Sequence, residues 1–202
     1  MNRKEKFKKI LLFALLFLLP LISINPKTID SNNYAYDSIG IVEKTAHKTS
    51  EKDNMIELLN KEAITFVKNY HPNCPDIIPL YIVKAGLEHD IDICFMLAQT
   101  QLETNFGKSG IGRMSSRHSL FGVERRHYSN YVEAIDDYIL LLKTSYLVKG
   151  RTEQYLLKNY INKSGYRYAG NPNYEVNLNK YYKTICNNTK IKSLQNQYKK
   201  LT

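Results

Sequence analysis

Between Ile91 and Leu102 the chain carries a run that is apolar nearly all round a helix: Ile91, Ile93, Cys94, Phe95, Met96, Leu97 and Ala98 leave little room for a solvated face. A surface helix needs a polar side, so this segment predicts a helix enclosed by the rest of its domain. The stretch after it, Thr104 to Gly110, holds Asn105, Gly107 and Gly110 and is poorly suited to continue the helix. Glu103 therefore sits in the last turn of a buried helix. There its carboxylate loses hydration and meets the negative end of the helix dipole. Both effects favour the neutral acid, and an acid that keeps its proton near neutral pH is what glycoside cleavage needs. The plainer alternative is a solvated residue at a helix end.

The residues around Glu103 narrow the choice. Gln99-Thr100-Gln101-Leu102-Glu103-Thr104-Asn105-Phe106-Gly107-Lys108-Ser109 closely resembles the catalytic segment of the bacterial and phage glucosaminidases that cut peptidoglycan, with Ala98-Gln99 as its opening. That family's pattern runs Ala-Gln, a few residues, Glu-Ser or Glu-Thr, any residue, an aromatic, then Gly-Lys-Ser. Ser119-Leu120-Phe121-Gly122-Val123 resembles the family's Asn-Leu-Phe-Gly-Ile element, with His118-Ser119 where Asn is usual. Tyr168-Ala169-Gly170-Asn171-Pro172-Asn173-Tyr174 is similar to its Tyr-Ala-Thr-Asp-Pro-x-Tyr element, with Gly170 for Thr and Asn171 for Asp. The order of these strings across 98–181 carries the resemblance.

The resemblance implies a lysozyme-like helical domain hydrolysing β-1,4 bonds of the glycan strand on the N-acetylglucosamine side, with Glu103 as general acid. It places Tyr168 near the cleavage point, where a phenol stabilises developing positive charge or holds the acetamido group. It also places Phe106, Ser119, Phe121 and Tyr174 along the sugar-binding cleft, although packing is the better account of the Leu120 and Phe121 side chains. A second group should activate water or shield the oxocarbenium-like transition state. Only 24 residues separate Glu103 from Tyr128, which leaves little room for a hairpin carrying that group. Glu124 is the one carboxylate in the loop and is the candidate base. Participation by the substrate's acetamido group, or a water held by Tyr168, needs no second carboxylate. A lytic transglycosylase, a muramidase and a non-catalytic wall-binding protein are the competing readings; the Gly-Leu-Met-Gln element of the transglycosylases is absent.

The chain of 202 residues has room for one domain and appendages. Arg3, Lys4, Lys6, Lys8 and Lys9 precede an apolar stretch, Ile10 to Ile24, that would reach ~22 Å as a helix against the ~30 Å of a bilayer core. A signal peptide fits better than a span, but Ser23-Ile24-Asn25 is a poor cleavage site, so an uncleaved membrane anchor stays open. Either form predicts export to the periplasm, the cell envelope or beyond, with peptidoglycan strands as partner. The divisions expected are 1–24 as signal or anchor, 25–53 as a polar linker, 54–188 as the catalytic domain and 189–202 as a basic tail.

Of the net charge of +10, residues 1–9 and the tail 190–202 hold +4 each. In between, Lys108, Arg113, Arg117, Arg125 and Arg126 face only Glu124 from Asn105 to Val132, a basic rim suited to an anionic polymer. Because most surplus charge is terminal, no nucleic-acid partner is expected. The cysteines and histidines lack metal-ligand spacing, so no metal or cofactor is expected. One disulfide is allowed in an exported chain, Cys74–Cys186 for example, and the sequence does not choose among pairings.

Helices are expected through Ile56–Val67, ended by Pro72 and Pro75; through Leu80–Leu87, opened by Pro75 or Pro79; and at Asp92–Glu103. A loop region or small hairpin should fill 105–127. Asn130 and Glu133 form a capping-box pattern for the next helix. Another is expected over Thr152–Asn162, ended by Gly165, and a last one capped at Asn171-Pro172. The whole reads as a mainly α domain around a buried central helix.

Overall fold

The computed structural model describes the backbone of residues 34–110, 117–122 and 127–202, and side chains from Thr49 onward within those ranges. Seven α-helices occur among the described residues: α1 Tyr34–Tyr70, α2 Ile77–Glu88, α3 Ile93–Thr104, α4 Tyr131–Leu141, α5 Glu153–Leu156, α6 Tyr174–Asn188 and α7 Ile191–Leu201. A π-helical turn, Leu142–Tyr146, extends α4. No strand occurs among the described residues, so the mainly α expectation holds. Contacts divide the chain between Val42 and Glu43, and the domain that carries α2 to α7 lies within 43–202.

The apolar run is the centre of the domain. Ile93 to Ala98 are fully buried, as are Gln99 and Thr100, because α6, α2 and α7 all pack on α3. Gly86 makes the α2 contact possible: a Cβ there would lie 2.6 Å from Ile93 Cγ1. A helix buried at its start has no water for its first N–H groups, so side chains must accept them. Three do. Asp92 N–H donates to Glu153 (3.1 Å), Ile93 N–H to Gln195 (3.1 Å) and Cys94 N–H to the Asp92 carboxylate (2.9 Å). Asp92 also accepts from the Tyr182 hydroxyl (2.9 Å) and the Lys192 ammonium (2.5 Å), which ties α6 and α7 to the same point.

Several expected boundaries shift. Residues from Tyr34 onward are helical, inside the stretch expected as a linker. The expected basic tail forms α7, whose Ile191, Leu194 and Gln195 are buried while Lys199 and Lys200 are exposed. Gln195 completes the α3 cap: its amide nitrogen also donates to the Ile91 carbonyl (2.8 Å). Gln195→Ala would leave both backbone groups without partners, and a loss of about 2–3 kcal/mol is expected in chemical denaturation. A change below 0.5 kcal/mol would show that water replaces the amide.

The helix expected over Thr152–Asn162 is only the short α5. Beyond it the backbone extends so that Tyr160 enters the core, and Tyr168 N–H donates to the Tyr160 carbonyl (2.8 Å) around an Ile161–Arg167 bridge. Gly165 (φ 87°) belongs to the turn of this narrow hairpin rather than to a helix end. The expected cap at Asn171 shifts by two residues: α6 begins at Tyr174 with Asn173 in the cap position, and the Asn171 side chain instead accepts from Asn173 N–H (2.9 Å) in the turn before it. At α4 the expected cap forms in part: Asn130 accepts from Glu133 N–H (2.9 Å), while the Glu133 carboxylate reaches one residue past the cap and accepts from Ser129 N–H (2.7 Å).

No helix among the described residues is long and apolar enough to cross a membrane. The stretch 10–24, read as signal peptide or anchor, lies outside them.

Candidate active site

The end of α3 is shaped by three successive left-handed residues, Asn105 (φ 47°), Phe106 (φ 57°) and Gly107 (φ 83°). They turn the chain back on itself: Asn105 N–H donates to the Gln101 carbonyl (3.0 Å) and Ser109 N–H to the Thr104 carbonyl (2.8 Å). Thr104, fully buried, fastens this turn to the next loop by donating to the Leu120 carbonyl (3.0 Å) and accepting from Gly107 N–H (3.1 Å). That fixes the 119–122 segment beside the helix end. Tyr128 N–H donates to the Arg117 carbonyl (3.2 Å) and His118 Nδ1 lies 2.9 Å from the Tyr128 carbonyl, so the base of the loop is closed.

Glu103 is half-buried at this junction. The Tyr174 hydroxyl donates to its Oε1. Its Oε2 lies against Gly122, where a Cβ would come within 2.1 Å of that oxygen and 2.7 Å of the carboxyl carbon. Gly122 also has φ 71°, so both its conformation and its lack of a side chain are needed for the carboxylate to lie where it does.

A stack of aromatic rings backs the carboxylate. Tyr160 and Tyr168 are parallel at 4.5 Å, with Tyr174 5.6 Å from Tyr168. The π-helical turn brings Tyr146 edge-on to both Tyr160 (5.0 Å) and Tyr168 (5.6 Å). Phe121 stacks on Tyr138 at 3.7 Å, and the Tyr168 hydroxyl donates to the Phe121 carbonyl. Gln99 joins the two halves: its side-chain oxygen accepts from the hydroxyls of Tyr160 (2.7 Å) and Tyr138. Gln99 is one turn before Glu103 on the same face of α3, so the tyrosine network and the acid share one rigid element.

Burial raises the ionisation of Tyr138, Tyr160, Tyr168 and Tyr174 above the ordinary tyrosine value, and for the last three the Glu103 charge adds to it. These phenols therefore stay protonated where exposed tyrosine ionises, near pH ~10. The folded state holds these protons more tightly than the unfolded state. Their contribution to stability is full below about pH 10 and declines as the pH rises beyond it. A phenolate absorbance titration should thus ionise fewer of the 16 tyrosines in the native chain than in denaturant at about pH 11. Equal titration in both states would contradict this.

The structure brings Glu103, Tyr168 and Tyr174 together, with Phe121 and Gly122 adjoining. Phe106 is not among them. Its side chain is fully buried and meets Phe66 edge-on at 6.1 Å, so it faces the core rather than a sugar. Phe121 is spent on Tyr138, and Ser119 is buried with its hydroxyl lacking a hydrogen-bond partner among the described residues. Glu124, with Arg125 and Arg126, lies outside the described residues. The sequence reading missed Gln99, Tyr138 and Tyr160 as members of the site. A glutamine inside an apolar run, four residues before the acid, was the signal for the first.

A surface depression of about 620 Å³ along α4, lined in part by Glu133, Asp136 and Asp137, holds none of these residues. Among the described residues no cluster of His, Cys, Asp and Glu is arranged to hold a metal ion.

Comparison with known proteins gives no match among curated proteins and none among solved structures. It does match the glucosaminidase family, described as mannosyl-glycoprotein endo-beta-N-acetylglucosaminidase, over residues 80–187, just over half of the chain. The match begins in α2, takes in all of α3 and runs to the end of α6, so it covers Glu103, Gly122, Tyr168 and Tyr174. The chain belongs to the glucosaminidase family.

Proposed function

We propose that this protein is a peptidoglycan hydrolase that cleaves β-1,4 bonds of the glycan strand on the N-acetylglucosamine side, with Glu103 as general acid. The observation that carries the reading is the position of Glu103: a half-buried carboxyl at the end of a fully buried helix, held by a buried tyrosine and set against a glycine. A site built this way fixes the acid's orientation before substrate arrives, which is what proton transfer to a leaving oxygen requires.

Tyr174 is assigned to orient the acid. Tyr168, whose hydroxyl is bonded to the Phe121 carbonyl, is assigned to hold the 119–122 loop and to offer its ring to the sugar. Glu124 is assigned to activate water; where the substrate's own acetamido oxygen attacks the anomeric carbon as the leaving oxygen takes the proton, no second carboxylate is needed. Tyr174→Phe removes the hydrogen bond to Glu103 but keeps the ring contacts. A fall in kcat of up to roughly tenfold with a native circular dichroism spectrum is the expected outcome, given the ~0.5–1.5 kcal/mol of a hydrogen bond to a neutral acid. An unchanged kcat would remove Tyr174 from the mechanism.

The reading is tested by digesting purified peptidoglycan with the full chain and identifying the new ends by mass spectrometry. Reducing-end N-acetylglucosamine supports it. Reducing-end muramic acid would make the protein a muramidase, anhydro-sugar ends a lytic transglycosylase, and intact strands a wall-binding protein. A bound sugar strand, with its peptide carboxylates, suits the basic side chains Lys108 and Arg117 that border the loop.

A further inference from the structure

The residues that follow Glu103 are strained. Asn105, Phe106 and Gly107 are all left-handed, and for Phe106 (φ 57°) a bulky side chain makes that conformation costly. Such a residue persists only where its surroundings over-determine it. The backbone supplies part of the hold: Phe106 N–H donates to the Thr100 carbonyl (3.3 Å), which closes a loop of chain around Glu103. The Phe106 carbonyl is held from elsewhere, by the segment that follows α1.

Two side chains of that segment meet it. His71 Nδ1 lies 3.2 Å from the Phe106 oxygen, and the Cys74 thiol donates to the same oxygen at 3.8 Å. A carbonyl only accepts, so His71 carries its hydrogen on Nδ1. Both side chains stand on a fixed loop. His71 N–H donates to the Val67 carbonyl (2.9 Å), and Cys74 N–H donates to the His71 carbonyl (2.9 Å). Lys68 donates to the Cys74 carbonyl (2.7 Å) and pairs with Asp76 (2.8 Å). Burial pushes the Cys74 thiol up to about 11, so it keeps its hydrogen at neutral pH, but a thiol is a weak donor. His71 is the stronger hold. It precedes the residues matched by the family, 80–187, as do Cys74 and the Phe66 ring that meets Phe106 edge-on.

We propose that His71 is a positioning residue for Glu103: its Nδ1–H grips the Phe106 carbonyl and so fixes the left-handed turn that holds the last turn of α3 in place. The effect on turnover rests on the acid role assigned above; the grip on the turn does not. Loss of the bond frees the acid's mount without altering the surface a strand binds, so the cost falls on kcat rather than KM.

Three variants of the full chain test this. In His71→Asn the amide nitrogen takes the place of Nδ1 and still donates. In His71→Asp an oxygen stands there, facing the carbonyl oxygen, and His71→Ala leaves nothing. The readouts are turnover of purified peptidoglycan and amide hydrogen exchange without substrate. His71→Ala and His71→Asp should lower kcat about fivefold, with KM within about twofold, and quicken exchange of the Asn105 and Ser109 amides by about the same factor. The Leu97 and Ala98 amides should keep their wild-type protection, and His71→Asn should restore both turnover and protection. In the wild type, nitrogen NMR at about pH 8, above the ordinary imidazole range, should find the His71 hydrogen on Nδ1. The opposite tautomer, unchanged exchange of Asn105 and Ser109 in His71→Ala, or His71→Asn behaving like His71→Asp would each overturn the proposal. So would a loss of protection spread over the whole of α3. A wild type that leaves strands intact would overturn the reaction assigned to Glu103, whereas the exchange and tautomer results decide the grip of His71 on the turn by themselves.

Discussion

Glu103→Gln is expected to reduce turnover of peptidoglycan strands by about 10³-fold, within the range by which a positioned general acid accelerates a reaction. The substitution is close to isosteric. Its amide oxygen can still accept from the Tyr174 hydroxyl, and the carboxamide fits against Gly122 where the carboxylate lay. Folding should therefore be retained, with a Tm near that of the native protein, and strand binding should be nearly unchanged. The loss belongs in kcat. A variant with full turnover would assign the chemistry to another group, and one that fails to fold would show that Glu103 serves the structure.

Gly122→Ala should be the more damaging change for its size. A Cβ at this position would lie 2.1 Å from Glu103 Oε2, a distance that no rearrangement short of moving the carboxylate or the loop can relieve. The positive φ adds a backbone cost of about 1–2 kcal/mol for any residue with a side chain. Displacing the acid by about an ångström is expected to lower kcat/KM roughly 10²-fold, in addition to the loss of stability. The two effects separate experimentally. Gly122→Ala in a folded preparation at low temperature should still show the catalytic deficit, whereas a purely structural role for Gly122 predicts normal kcat/KM in whatever fraction remains folded.

The central helix and the place of the acid on it were legible from Ile91–Glu103 alone, because a run apolar on every side has only one stable environment. The helix cap at Asn130 was equally readable, since it is local chemistry. What the sequence did not show depends on contacts between distant segments. Tyr160 falls within a stretch whose local pattern suits a helix, and only its need to reach Gln99 and stack on Tyr168 explains why the backbone there is extended. Gln195 sits in a lysine-rich segment that reads as a solvated tail, yet it caps a helix more than ninety residues earlier in the chain. Phe106 matches a family motif, but its ring fills a gap beside Phe66 that no motif reveals.

The most direct test of the acid role compares wild type and Glu103→Gln on two aryl glycosides of N-acetylglucosamine oligomers, one with a phenol and one with a dinitrophenol leaving group. A poor leaving group needs a proton and a good one does not. The deficit of the variant should be about 10³-fold for the first and within tenfold for the second. An equal deficit on both substrates would contradict the assignment of Glu103 as the proton donor.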